Sequence, residues 1–127
     1  MDLRPSRYKM KSRAECRSGA QFRFGQRLKQ LFPYSNILEE FGLPQSGALA
    51  LDFWLPTEGF AFEIQGAQHT KFVKHFHRDI QGFRKQQVND SRKKRWCGLN
   101  DITLICVRDT DVDVVDIVEL LNAAAGQ

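Results

Sequence analysis

The feature that most constrains the fold is a pair of alternating segments joined by a turn. Large apolar side chains occupy every second position within residues 51–55 and again within residues 60–65. The intervening Pro56-Thr57-Glu58-Gly59 has the composition of a turn. Because successive side chains of a strand point to opposite faces, each segment predicts a strand with one apolar and one polar face. Residues 49–55 and 60–65 therefore predict a β-hairpin with a short connection.

The rest of the chain predicts helices and two further strands around this hairpin. A first helix, with Ser12 as its candidate cap, is indicated by an apolar stripe that ends before Pro33: Phe22, Phe24, Leu28 and Leu31. Residues 37–41 and 102–107 predict short strands, and the proline-free residues 79–96 predict a basic helix that ends near Gly98 and Asn100. A last helix is indicated by apolar residues at helical spacing: Val114, Ile117, Val118 and Leu121.

Length and composition restrict the class of protein. A chain of 127 residues forms a single domain, which we expect over residues 13–127, after a basic N-terminal arm at residues 1–12. No apolar run reaches the roughly 18 residues of a membrane span, and the N-terminus lacks the apolar stretch of a signal peptide. We therefore expect a cytoplasmic protein, in the host cytoplasm if the gene belongs to a phage. The cysteines are three and widely spaced, which argues against a disulfide framework or a cysteine zinc site.

Charge is distributed in blocks. Residues 1–30 hold nine lysines and arginines against two acids, and residues 70–96 again hold nine against two. Between these basic blocks, residues 31–69 hold five acids and no base. A basic block is often only a solvated surface, but two such blocks and a pI near 9.1 favour a nucleic-acid partner.

The acidic middle of the chain contains the pattern of a metal site. On the predicted hairpin, Asp52 lies on the face opposite the large apolar residues, and Glu63 and Gln65 share that face of the second strand. Two carboxylates and an amide oxygen are hard donors that suit Mg²⁺. Acids on the solvent face of an antiparallel strand are also common. The bulky apolar neighbours of Asp52 favour the metal site, because a carboxylate among them is costly unless something binds it.

These residues carry a resemblance to a nuclease superfamily. Residues 51–56, with the sequence L-D-F-W-L-P, and residues 63–69, with E-I-Q-G-A-Q-H, resemble the core of PD-(D/E)XK nucleases. The closest likeness is to small phage and mobile-element endonucleases related to very-short-patch repair and homing enzymes. Downstream, Gln87, Asp90, Lys93 or Lys94, and Cys97 resemble a Q-x-x-D-x-x-K-x-x-x-C helix. The resemblance covers roughly residues 18–108. It implies an α/β fold with an αβββαβ restriction-endonuclease-like core, a mixed central sheet flanked by helices, and here an additional C-terminal helix.

The resemblance also implies roles for individual residues. Asp52 and Glu63 would hold Mg²⁺, or Mn²⁺ in its place, with help from the backbone carbonyl of Ile64. Gln65 stands where the superfamily usually has a lysine, so it could position water or ligate the metal through its amide oxygen but could not supply positive charge. Gln21 stands where the family often has a glutamate on the first helix, and the missing charge argues against a tightly bound second metal.

Further candidate residues follow from the same resemblance. His69 matches the family's Q-H pair and is a candidate acid–base or supporting group, although a lone histidine is often only structural. The candidate DNA contacts are basic residues of the second block: Lys71, Lys74, Arg84, Lys85, Arg92, Lys93, Lys94 and Arg95.

The resulting hypothesis is a Mg²⁺-dependent DNA endonuclease of homing, repair or junction type. We expect a homodimer or a higher homo-oligomer, since a homodimer would give one active site for each strand. Because positions 21 and 65 are both glutamine, a nuclease-fold DNA-binding protein with weak or no catalysis is the alternative. A protein-interaction module that binds acidic partners is a third hypothesis.

Overall fold

The computed structural model describes residues 8–16, 18–44, 49–66 and 80–125. In chain order, its elements are α1 (Gly19–Leu31), β1 (Leu38–Gly42), β2 (Ala50–Leu55), β3 (Phe60–Gln65), α2 (Ile80–Leu99), β4 (Thr103–Arg108) and α3 (Ile117–Ala125). A short 3-10 helix (Asp109–Asp111) links β4 to α3. The predicted order of helices and strands is confirmed, and the fold is of the α/β class.

The four strands form one mixed sheet in the order β1-β2-β3-β4. The β1–β2 and β2–β3 pairs are antiparallel, whereas β3 and β4 are parallel and are connected through α2. The predicted hairpin between β2 and β3 is present. Its turn closes with a hydrogen bond of 2.9 Å from Gly59 N to Leu55 O, and Gly59 has φ +80°, a conformation that glycine adopts without steric cost.

Apolar side chains pack on both sides of the sheet. On one side, Phe24 and Leu28 of α1 and Ile117 of α3 join a cluster that includes Phe53 and Phe62. On the other side, a second cluster includes Cys97 of α2 and the sheet or loop residues Leu38, Phe41, Leu43, Leu51, Ala61 and Ile102. Helices therefore cover both faces, and the second face carries the polar side chains of the hairpin.

The expectation that Leu51 shares a face with Phe53 and Leu55 is wrong, since Leu51 packs in the second cluster. Regular pairing is interrupted beside it. The register continues on either side of Glu40 and Asp52, but these two residues do not form a ladder pair. Glu40 has φ +52°, a left-handed conformation that is unusual for a residue with a side chain.

Several predicted boundaries differ from the structure. The N-cap of α1 is Ser18, whose Oγ accepts a hydrogen bond of 3.1 Å from Gln21 N. Ser12 instead caps a single turn, in which Ser12 N donates to Glu15 Oε1 at 2.9 Å. At the other end of the chain, Val114 precedes α3 and is 79% exposed, and Val118 is 50% exposed. The buried stripe of α3 is formed by Ile117 together with the partly buried Leu120, Leu121 and Ala124.

The N-terminal segment contacts the sheet where the structure describes it. The ring of Tyr8 lies 4.9 Å from that of Phe41, and Lys11 N donates a hydrogen bond of 2.8 Å to Glu39. Residues 1–7 of the predicted basic arm lie outside the described residues. Within the described residues, no helix combines the length and apolar character needed to cross a membrane.

Candidate active site

Asp52 and Glu63 meet where the β2–β3 ladder opens. Backbone pairing runs from Leu55–Phe60 to Phe53–Phe62. Beyond that point, Ile64 N donates a hydrogen bond of 2.8 Å to Asp52 Oδ2, and Asp52 N donates to Glu63 Oε2 at 3.3 Å. Each carboxylate thus accepts a backbone N–H from the opposite strand. The predicted meeting of Asp52 and Glu63 on one face of the hairpin is observed.

These two acids line a cleft with a volume of about 450 Å³. The start of α1 contributes Ser18 and Gln21 to its wall. The sheet contributes Ile64, Gln65, Leu104 and Cys106, and α2 contributes Gln86, Asp90, Lys93 and Lys94. Five of the predicted catalytic and metal-binding residues therefore lie around a single cleft: Gln21, Asp52, Glu63, Ile64 and Gln65.

Glu63 has an unusual electrostatic environment. Its side chain is buried, and burial together with the neighbouring Asp52 raises the pKa of Glu63 to about 8. Lys93 acts in the opposite direction, since its Nζ lies 2.8 Å from Glu63 Oε1. A perturbed carboxylate in a cleft, with a specific charged neighbour, is typical of functional sites.

The donor set fits a magnesium ion. Among the described residues, Glu63 Oε1 receives no hydrogen bond of good geometry despite being buried, although the Lys93 ammonium is close to it. Mg²⁺ is usually held by one or two carboxylates, with water and substrate phosphate completing its shell. The described part of the chain contains no cluster of three or more His, Cys, Asp or Glu side chains suited to a metal ion. Asp52, Glu63 and the Ile64 carbonyl are the protein ligands that the resemblance implies.

Gln21 is fixed in the cleft wall by a buried acid that the sequence analysis missed. Its Nε2 donates a hydrogen bond of 2.7 Å to Glu39 Oε2. Glu39 is 2% exposed and also accepts from Lys11 N at 2.8 Å and from Cys16 Sγ at 3.3 Å. Neighbouring Glu40 pairs with Lys11 Nζ at 2.8 Å. Gln21 thus joins α1 to the sheet through Glu39.

The basic helix α2 presents two different faces. Lys93 and Lys94 line the cleft, whereas a shallow groove elsewhere on α2 is lined by Arg84, Gln87, Val88, Ser91, Arg92 and Arg95. Lys85 is exposed. The helix motif suggested by the resemblance begins at Gln87, but the structure places Gln86, not Gln87, in the cleft. The remaining candidates His69, Lys71 and Lys74 lie outside the described residues.

Comparison with known proteins finds relatives encoded by viruses. The chain is 42% identical over 66 residues to "Uncharacterized protein 307L" of Invertebrate iridescent virus 6, which is 52% of this chain and 34% of that protein. It is 39% identical over 57 residues to "Uncharacterized protein 033L" of Invertebrate iridescent virus 3, which is 45% of this chain and 29% of that protein. The chain thus spans about a third of the length of the curated relatives it matches. No protein-family model matches it, and no solved structure matches it significantly.

The ion pair between Lys93 and Glu63 is a second feature that the sequence does not reveal. The resemblance groups Lys93 with the candidate phosphate contacts of α2. The spacing of Gln86, Asp90, Lys93 and Cys97 is the signal that could have found it, since residues three and four apart share one face of a helix. What the spacing does not reveal is that this face, anchored by buried Cys97, lies over the carboxylates of the hairpin.

Proposed function

We propose that this chain is a Mg²⁺-dependent endonuclease that hydrolyses phosphodiester bonds in DNA. The observation that carries the proposal is the meeting of Asp52 and Glu63 in a cleft bordered by the basic helix α2. The α-β-β-β-α-β order further supports a PD-(D/E)XK nuclease core, as do the antiparallel β1–β2 and β2–β3 pairs and the parallel β3–β4 pair.

In this mechanism the carboxylates of Asp52 and Glu63 would hold the cation. Asp52 is oriented by the hydrogen bond from Ile64 N, so its carboxylate position is set by the backbone of β3. Mg²⁺, when bound, supplies charge stabilisation at the phosphate and lowers the pKa of an attacking water. Gln65, which lies on the same strand as Glu63, would position that water through its amide group.

DNA binding is assigned to the basic residues around the cleft. Lys94 lines the cleft and is exposed, so it can reach a phosphate beside the scissile bond. Arg84, Arg92 and Arg95 would bind phosphates further along the DNA. Such contacts orient the backbone and carry little sequence information. A homodimer would place one such cleft on each strand of a duplex.

The alternative is a nuclease-fold protein that binds DNA without useful catalysis. It is favoured by the neutral side chains of Gln21 and Gln65, which both line the cleft. The two proposals differ in whether the protein cuts DNA when a divalent cation is supplied.

The decisive experiment compares the parent protein with Asp52→Asn on plasmid, mismatched duplex and branched DNA. We expect the parent to cut at least one form with Mg²⁺ or Mn²⁺, and Ca²⁺ to support binding without cutting. Asp52→Asn should lose at least about 10²-fold in cleavage rate, as when one positioned catalytic group is removed, while retaining its DNA affinity in EDTA. Glu119→Gln, an exposed change on α3, is the matched control.

Two results would contradict the proposal. Full cutting by purified Asp52→Asn would rule out this site. Binding of DNA without cutting of any form, with any of these cations, would favour the binding-protein alternative.

A further inference from the structure

We infer that Lys93 supplies the positive charge of the active site and binds the scissile phosphate, a role that neutral Gln65 cannot fill. This inference rests on the proposed nuclease function and assigns it a further catalytic residue. Its basis is the position of the Lys93 ammonium, 2.8 Å from Glu63 Oε1 in the cleft.

The burial of Lys93 distinguishes it from the other basic residues of α2. Its side chain is 17% exposed, whereas Arg84, Lys85, Arg92, Lys94 and Arg95 are all exposed. Lysine is rarely withdrawn from water without a charged partner. Glu63 is that partner, and its side chain is itself only 9% exposed.

The backbone of α2 holds Lys93 in this place. Cys97, one turn further along the helix, is 1% exposed and packs against the sheet. Its carbonyl accepts a hydrogen bond of 2.9 Å from Ile102 N, at the start of the connection to β4. The segment that carries Lys93 is therefore tied to the strand that pairs with Glu63, since Glu63 lies opposite Cys106 in the β3–β4 register.

The charge balance of the cleft gives Lys93 its function. Asp52, Glu63 and Asp90 are the acids among the described residues lining the cleft, and a bound phosphodiester adds a further negative charge. Among the described residues lining the cleft, the cations are Lys93 and Lys94, and Lys93 is the one in contact with Glu63. An ammonium group has three N–H donors, so Lys93 can keep Glu63 as a partner and still donate to a phosphate oxygen.

The test removes the positive charge of Lys93 from α2 and places a new one at position 65 of β3. Lys93→Met should lower the single-turnover cleavage rate by about 10²–10³-fold, the usual loss for one electrostatic donor. Adding Gln65→Lys to this variant should restore at least about tenfold, because the new lysine would enter the same cleft. Lys93→Arg, which keeps the charge, should cut faster than Lys93→Met.

Three further measurements separate charge from folding and from general DNA affinity. Urea unfolding should show that every variant is folded, and in Lys93→Met the duplex affinity in EDTA should fall far less than the cleavage rate. Lys29→Met, an exposed change at the end of α1, removes the same charge away from the cleft and should cut like the parent.

The outcomes are distinct for the two proposals. A parent that cuts no DNA form overturns the proposed function. A cutting parent whose Lys93→Met variant cuts equally fast overturns the role of Lys93 alone. A slow Lys93→Met variant that neither Gln65→Lys nor Lys93→Arg improves also overturns it, because the loss would then not depend on charge.

Discussion

Replacing Glu63 with glutamine should stabilise the protein, and the gain should grow with pH. Burial and the nearby Asp52 raise the pKa of the Glu63 carboxyl from its ordinary value of 4.5 to about 8. Between these two values the folded protein holds a proton on Glu63 that the unfolded chain releases. Stability therefore falls as pH rises through this window, because the unfolded state binds fewer protons.

The size of the effect follows from the shift. Each pKa unit corresponds to about 1.4 kcal/mol. The Glu63 carboxyl should therefore lower the free energy of unfolding by on the order of 1 kcal/mol at pH 5 and by roughly 4 kcal/mol at pH 8. Glutamine cannot ionise and escapes this cost. The attraction of Lys93 for the ionised carboxylate is already part of the pKa of about 8 for Glu63, so the informative quantity is the slope of the stability difference between the two proteins.

The assay is urea unfolding of the parent and Glu63→Gln in EDTA at several pH values from 5 to 8.5. The stability difference in favour of Glu63→Gln should increase by roughly 1 kcal/mol per pH unit within the window. The control Glu119→Gln should run parallel to the parent. Parallel curves for Glu63→Gln and the parent would refute the reasoning, because the burial of Glu63 and its contact with Asp52 would then not disfavour its charged form.

Adding Mg²⁺ should stabilise the parent and not Glu63→Gln, since a cation that binds the folded state raises its stability.

Two other predictions concern residues outside the acidic pair. Replacing Arg84, Arg92 and Arg95 with glutamine should reduce the slope of log binding constant against log salt concentration by about 0.9 for each phosphate that is no longer neutralised. A filter-binding or anisotropy titration measures this slope. An unchanged slope would mean that the groove on α2 is only a solvated surface. Glu39→Ala should lower the free energy of unfolding by about 1–3 kcal/mol, because Lys11 N would lose its buried acceptor and Gln21 Nε2 would keep only a 3.5 Å contact with Glu40 Oε1. Urea melts measure that change, and a variant as stable as the parent would show that water replaces the carboxylate.

The sequence determined the hairpin and the meeting of its acids because both depend on local periodicity. A period of two assigns each side chain of a strand to a face, and a short turn brings the faces of two strands into register. Asp52 and Glu63 could therefore be placed together without knowledge of the rest of the fold. The order of helices and strands was accessible for the same reason.

Tertiary structure decided which neighbouring elements complete the site. Glu39 and Glu40 fall on opposite faces of a predicted strand that has apolar residues on both faces, so the sequence does not show which acid is buried. In the structure Glu39 is buried beneath Gln21, and Glu40 takes a left-handed backbone conformation beside it. Tertiary packing also decides that Ser18, and not the predicted Ser12, is the N-cap of α1. Both serines meet local capping requirements, but Ser18 precedes the segment whose Phe24 and Leu28 pack on the sheet.

The position of Lys93 against Glu63 was also decided by tertiary structure and not by the sequence pattern. Its spacing from Asp90 and Cys97 shows which residues share a helix face, but not what that face covers. Only the packing of α2 through Cys97 sets the Lys93 ammonium against Glu63, while Gln65, the position that the sequence motif indicates, remains neutral. Contacts within an element follow from local geometry, whereas contacts between distant elements depend on how the whole core packs.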